Sequence, residues 1–159
     1  MKKIFYLFYF LPVLFLGSCE SDKDLPAVDL TLTIDGVTVD DGSFYTLEGT
    51  EAIIDNIGVK SLNSKNNAGI TNVIFYFNGV PLQGEFGSPF NYDGKLPTAD
   101  LPSGKYNLTL TGFLLEEDKS VATVEVNYPI VIVENEESLP AGSPEIGLNS
   151  ITYTIQPGK

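Results

Sequence analysis

From residue 28 onward, apolar and polar residues change places at every step: Val28, Leu30, Leu32 and Ile34 are separated by Asp29, Thr31 and Thr33. A period of two is that of a strand, whose successive side chains leave opposite faces, and not the 3.6 of a helix. The pattern then recurs between turn residues. Asp35-Gly36 and Asp40-Asp41-Gly42-Ser43 read as turns on either side of Val37 and Val39, and residues 44–47 and 52–59 form the next extended runs. Residues 61–69 read as a polar loop and residues 70–77 as a strong strand. Asn78-Gly79 follows, the favoured two-residue hairpin signal, because a type I′ turn needs positive φ at both central positions. Residues 84–89 read as loop and 90–96 as a weaker strand. Pro102-Ser103-Gly104 turns into residues 105–115, where Tyr106, Leu108 and Leu110 share a face; residues 116–119 form a charged hairpin tip, and residues 121–133 close the set. No window after residue 19 has helical periodicity. The expectation is an all-β chain, an antiparallel sandwich of about seven strands.

The N-terminus reads differently. Lys2 and Lys3 precede an apolar run to Leu16, and Gly17 and Ser18 supply the small residues of a peptidase site. A dozen apolar residues is short of the roughly 20 needed to span a bilayer, although an uncleaved anchor helix remains the alternative. Leu16-Gly17-Ser18-Cys19 resembles the lipobox of bacterial lipoproteins. The resemblance implies cleavage before Cys19, acylation of that cysteine, and attachment to a lipid bilayer. One acyl chain binds only marginally, with K about 10⁴ M⁻¹, whereas two or more anchor stably. Cys19 is then a tether and not a redox or catalytic thiol. Glu20, Asp22 and Asp24 lie in a polar spacer that resembles the acidic export segment of surface lipoproteins from Bacteroidota-type bacteria. That resemblance implies a cell-surface address on the outer membrane. A plain solvated leash on a periplasm-facing lipoprotein is the alternative.

Cleavage would remove two lysines, leaving seven against 21 acidic residues and a formal charge of −14. So acidic a body repels phosphate backbones and anionic lipid surfaces, so nucleic acid is not an expected partner. The chain contains no His and no Trp, and its single Cys is the tether. Imidazole general-base catalysis, Cys–His or Ser–His nucleophiles and His- or Cys-ligated metals are thereby excluded. Carboxylate chemistry alone survives, and no spacing recommends it. The expectation is a non-enzyme without a cofactor.

Three stretches carry a further resemblance: residues 73–80 with their Asn-Gly hairpin, Ser88-Pro89-Phe90 as a Pro-aromatic bend, and residues 101–110 with Gly104-Lys105-Tyr106-Asn107-Leu108. Together they look like successive landmarks of bacterial immunoglobulin-like domains, over residues 27–133. The resemblance implies a seven-stranded sandwich with Tyr106 as a tyrosine-corner residue, whose hydroxyl bonds nearby backbone. It also implies a binding or spacer role. No disulfide pair and no core Trp are present, so the antibody-type pattern is not met.

Candidate binding residues follow from the alternation. Val73, Phe75 and Phe77 take one face of their strand and Ile74 and Tyr76 the other. The second face either packs under a neighbouring segment or forms an exposed patch for a glycan or protein ligand, joined by loop aromatics Phe86 and Phe90. Asp35, Asp40 and Asp41, with Asp55 farther on, would suit Ca²⁺ as oxygen ligands, but they are also ordinary turn residues without EF-hand spacing. Glu116-Glu117-Asp118 and Glu134, Glu136 and Glu137 read as solvated tips and linker.

Residues 134–144 read as an acidic, Pro- and Gly-bearing linker, and Ile151, Tyr153 and Ile155 as one more alternating strand. It would pair either with an edge of the same sandwich or with another chain by strand addition. The organisation is therefore residues 1–18 as signal, 19–25 as tether, 26–133 as sandwich and 134–159 as linker and terminal strand. The functional expectation is a lipid-anchored binding or spacer module; the alternative is a structural subunit or cap of a surface filament that donates its last strand.

Overall fold

The computed structural model describes residues 27–62, 68–82, 95–116 and 121–155. It is all-β, with eight strands in a curled mixed sheet: β1 (Val28–Asp40), β2 (Ser43–Leu47), β3 (Ile53–Ser61), β4 (Ala68–Phe77), β5 (Val80–Pro81), β6 (Gly104–Glu116), β7 (Val121–Val133) and β8 (Gly147–Ile155). The order is β3-β1-β2-β7-β6-β4-β5, with β8 on β1. A single 3₁₀ turn, Glu136–Ser138, lies between β7 and β8 among the described residues, capped by the Asn135 side chain.

β1 organises the fold. Its first part pairs with β3 on one side and β8 on the other, and its last residues pair with β2. The sequence pattern places a turn at Asp35-Gly36; the structure instead has one continuous strand that kinks there. Gly36 takes φ +79, and a Cβ on it would meet the Glu51 carbonyl oxygen at 2.6 Å. Its N–H donates to the Asp35 carboxylate at 2.9 Å, and the ladder to β8 slips between Ile34 and Val37. Only glycine satisfies both the left-handed backbone and the close approach. The kink carries β1 from one half of the sheet to the other. Asp41 and Gly42, both at positive φ, then close the β1–β2 hairpin across Asp40 and Ser43.

The expectation of antiparallel pairing throughout is corrected at one place. β2 runs parallel to β7, with Phe44 opposite Ile130 and Leu47 opposite Val133. Parallel neighbours need a long crossover. Here the entire segment from β3 to β6 supplies it, so no local signal announces the pairing.

The inward faces of both halves meet in one core. Leu30, Leu32 and Ile34 of β1, Ile54 and Ile57 of β3 and Ile151 of β8 join Phe75 and Phe77 of β4, Leu108 and Leu110 of β6, and Val126, Tyr128 and Ile130 of β7. Each fully buried side chain of this size contributes about 1.5–3 kcal/mol relative to exposure. Asn78 and Gly79 sit at φ 48 and 77 and bring Phe77 opposite Val80, which is the expected hairpin. The expected strand over residues 90–96 lies mostly outside the described residues. Its end forms a single bridge, Lys95 to Ile53, while the Leu96 N–H donates to the Ala52 carbonyl at 2.8 Å.

Two tyrosines brace the ends. The Tyr106 hydroxyl donates to the Pro102 carbonyl at 2.8 Å, and its ring stacks on Phe77 with centroids 5.7 Å apart. On β8, which joins the same sheet through β1, the Tyr153 hydroxyl donates to the Gly42 carbonyl at 2.9 Å. Asn149 ties the start of β8 to the Val37 and Glu145 carbonyls.

Candidate functional site

Tyr76 and Ile74 lie on the solvent side of β4, half-buried, while Val73, Phe75 and Phe77 fill the core behind them. The division of faces read from the sequence therefore holds along this strand. Register then decides their neighbours. Tyr76 is opposite Thr109 and Ile74 opposite Thr111 on β6, and those threonines are opposite Asn127 and Glu125 on β7. Tyr76, Gly79, Thr109, Thr111 and Glu125 line a shallow hollow of about 380 Å³, open to solvent.

A polar network borders the hollow. The Asn107 amide donates to Asn127 Oδ1 at 2.8 Å and lies 3.1 Å from Thr109 Oγ1, whose hydroxyl donates to the same Asn127 oxygen at 2.6 Å. Asn78 caps it from the hairpin: its side-chain oxygen accepts from the Asn107 N–H at 2.9 Å. These contacts fix the orientation of Thr109, which lies opposite Tyr76, and of Asn127 on the strand beyond it. Such a surface presents one aromatic face, hydroxyls and one carboxylate. These groups can hold a ligand by stacking and hydrogen bonding.

The aspartate candidates are not brought to this place. Asp35, Asp40, Asp41 and Asp55 are all exposed. Asp40 and Asp41 edge a separate open hollow with Val39, Gly42, Ser150 and Ile151, whereas the Asp35 carboxylate is engaged by the Gly36 N–H. Among the described residues no group of three or more His, Cys, Asp or Glu side chains is arranged to hold a metal ion. Leu16, Gly17, Ser18, Cys19, Glu20, Asp22, Asp24, Phe86 and Phe90 lie outside the described residues. Among the described residues no helix is long and apolar enough to cross a membrane.

Thr109, Thr111, Glu125 and Asn127 were not singled out by sequence pattern. Alternation along residues 105–115 and 121–133 marks them as outward-facing, but only the β4–β6–β7 register sets them beside Tyr76. One buried group stands apart: the Tyr128 hydroxyl, on a residue with no exposed surface, has no hydrogen-bond partner among the described residues. Burial pushes its phenol well above the ordinary value, and the neighbouring Tyr153 acts in the same sense. In the comparisons with known proteins, no family model, no curated protein and no solved structure matches the chain.

Proposed function

We propose that this protein is a non-catalytic binding module with an immunoglobulin-like β-sandwich, held at the outer membrane and facing the cell surface through an acylated Cys19. The single observation that carries the binding role is the hollow on the β4–β6–β7 face, where the half-buried Tyr76 ring lies among Thr109, Thr111 and Glu125. An aromatic face packs against the C–H face of a pyranose, while hydroxyls, an amide and a carboxylate exchange hydrogen bonds with its hydroxyl groups. The hollow is open and shallow, which favours an extended glycan lying across the sheet over a small molecule enclosed in a pocket.

The strand order supports the immunoglobulin-like reading. β2-β7-β6-β4-β5 forms one half and β8-β1-β3 the other, with Tyr106 bonded to backbone four residues upstream at the start of β6. The lipobox-like Leu16-Gly17-Ser18-Cys19 and the acidic residues after it support the anchoring and the surface address. The filament-subunit alternative draws less support, because β8 is laid along β1 of its own chain from Ile155 at Val28 to Gly147 at Val37.

The test is an array of neutral and acidic glycans probed with the protein and with Tyr76→Ala and Glu125→Gln. Retention of at least one glycan class, weakened about tenfold or more by Tyr76→Ala, is the expected outcome. No retention by the parent protein, or equal retention by both variants, would sink the binding role. Anchoring is checked separately: Cys19→Ala should move the protein from the membrane fraction to the soluble one.

A further inference from the structure

Among the described residues a strand lacks a neighbour on one side at β3, β5 and β8, along the last residues of β1, and along β4 from Ala68 to Ile74, and the chain treats these edges differently. β5 is two residues long and ends in Pro81, which has no N–H to offer. β3 carries exposed Asp55 and Lys60 and is bridged at Ile53 by Lys95. β8 is nine residues long, and it has neither a charged residue nor a proline between Gly147 and Ile155. It pairs with β1 on one side only, and no described backbone group pairs with its other side. Charges, prolines and shortness are the devices that keep sheet edges from pairing with other chains. β3 and β5 have them, the end of β1 carries exposed Asp40, and β4 is bulged between Thr71 and Ile74, whereas β8 has none of these devices.

We infer that the free edge of β8 pairs with β8 of a second copy of this chain, antiparallel about a two-fold axis. Centred on Ile151, that register sets Ser150 opposite Thr152 of the second copy and Leu148 opposite its Thr154. Leu148 is 60% exposed in the single chain. Small hydroxyl and β-branched residues in facing positions are favourable cross-strand pairs, and no like charges meet. The absence of charge identifies the partner. The chain carries a formal charge of −12, so two copies repel except where they meet through an uncharged element, and β8 is such an element. β8 itself offers a basic partner strand no carboxylate, and Asp40 and Asp41 beside Ser150 and Ile151 add to the repulsion that salt would screen. The product is a continuous six-stranded array, β3-β1-β8 joined to β8-β1-β3, with the Tyr76 hollows of the two copies left open on the other half of each sheet.

The inference predicts an unusual salt dependence. The strand contact is uncharged and the bodies repel, so screening should strengthen association. The test measures the protein mass of the full chain in nonionic detergent by light scattering, up to about 100 µM, in low salt and in about 0.5 M salt. A two-chain species that grows with salt is expected. Two double variants, Ser150→Lys with Thr152→Lys and Ser150→Glu with Thr152→Glu, each place like charges opposite one another. Each should weaken pairing about tenfold or more, and mixing the two should restore a two-chain species. Circular dichroism confirms that each variant keeps its strand content. A one-chain mass for the parent protein at every salt concentration would overturn the inference. So would a dimer unaffected in both variants, a dimer that weakens with salt, or folded variants whose mixture stays monomeric.

Discussion

The Tyr153 ring on the last strand lies 5.1 Å from the Tyr128 ring on β7, tilted by 47°. Tyr153 is thus one point at which β8 touches the opposite half of the sheet, and its hydroxyl on the Gly42 carbonyl ties the same strand to the β1–β2 turn. Phe44 extends the cluster, 6.1 Å from Tyr128. Residues separated by more than a hundred positions in sequence are locked together by three rings and one hydrogen bond.

Truncating that contact should loosen the fold. Tyr153→Ala removes the ring packing and the hydrogen bond, with an expected loss of about 2–4 kcal/mol. Tyr153→Phe keeps the ring and should lose only about 1 kcal/mol. Urea unfolding of the two variants measures the difference, and equal losses would mean that the ring contributes nothing.

Tyr128→Phe should act in the opposite direction. The hydroxyl is buried without a partner among the described residues, so deleting it removes a desolvation cost of about 1–3 kcal/mol. The effect also depends on pH. The folded-state phenol titrates above its unfolded value near 10, because burial disfavours the phenolate. The unfolded chain therefore loses this proton first, and its contribution to stability, full below pH 10, falls as pH rises beyond it. Tyr128→Phe should flatten that alkaline loss relative to the parent in denaturant unfolding at pH 8 and at higher pH.

Two glycines at positive φ should respond unequally to alanine. At Gly36 the new Cβ meets a backbone oxygen at 2.6 Å, and at Gly79 it meets nothing within 4 Å. Gly79→Ala should cost about 1 kcal/mol, the conformational penalty alone. Gly36→Ala should cost at least about 3 kcal/mol, because β1 must shift away from residue 51. Comparable thermal shifts in the two variants would count against the kink as a point of close contact.

Tyr106→Phe removes the bond to the Pro102 carbonyl while keeping the stack on Phe77. The expected loss is about 1 kcal/mol, with faster amide exchange around residues 101–104 as the local signature.

Much of the local structure was legible in residue order. The Asn78-Gly79 hairpin is written in residue types that take two successive positive φ values cheaply, and the buried sides of β1 and β4 follow from alternation. The Asp35-Gly36 turn was misread for a related reason. Asp-Gly signals a left-handed residue, but a strand bulge needs one as much as a turn does, and only the neighbouring Glu51 carbonyl distinguishes them. The candidate site was half legible. Tyr76 and Ile74 could be assigned to one face, whereas Thr109, Thr111 and Glu125 belong to strands whose register against β4 is set by a bulge between Thr71 and Ile74.

The sequence by itself determined that this chain is built of strands, where several of them turn and which side chains seek the interior, because those choices rest on backbone preference and a period of two. Tertiary structure alone decided that β2 lies parallel to β7, that β8 covers β1 and leaves one bare edge, and that a tyrosine on β4 gains threonines and a glutamate as neighbours. Each of those outcomes is a pairing between distant segments. A strand's alternation states which side must be buried but does not name the strand that will bury it.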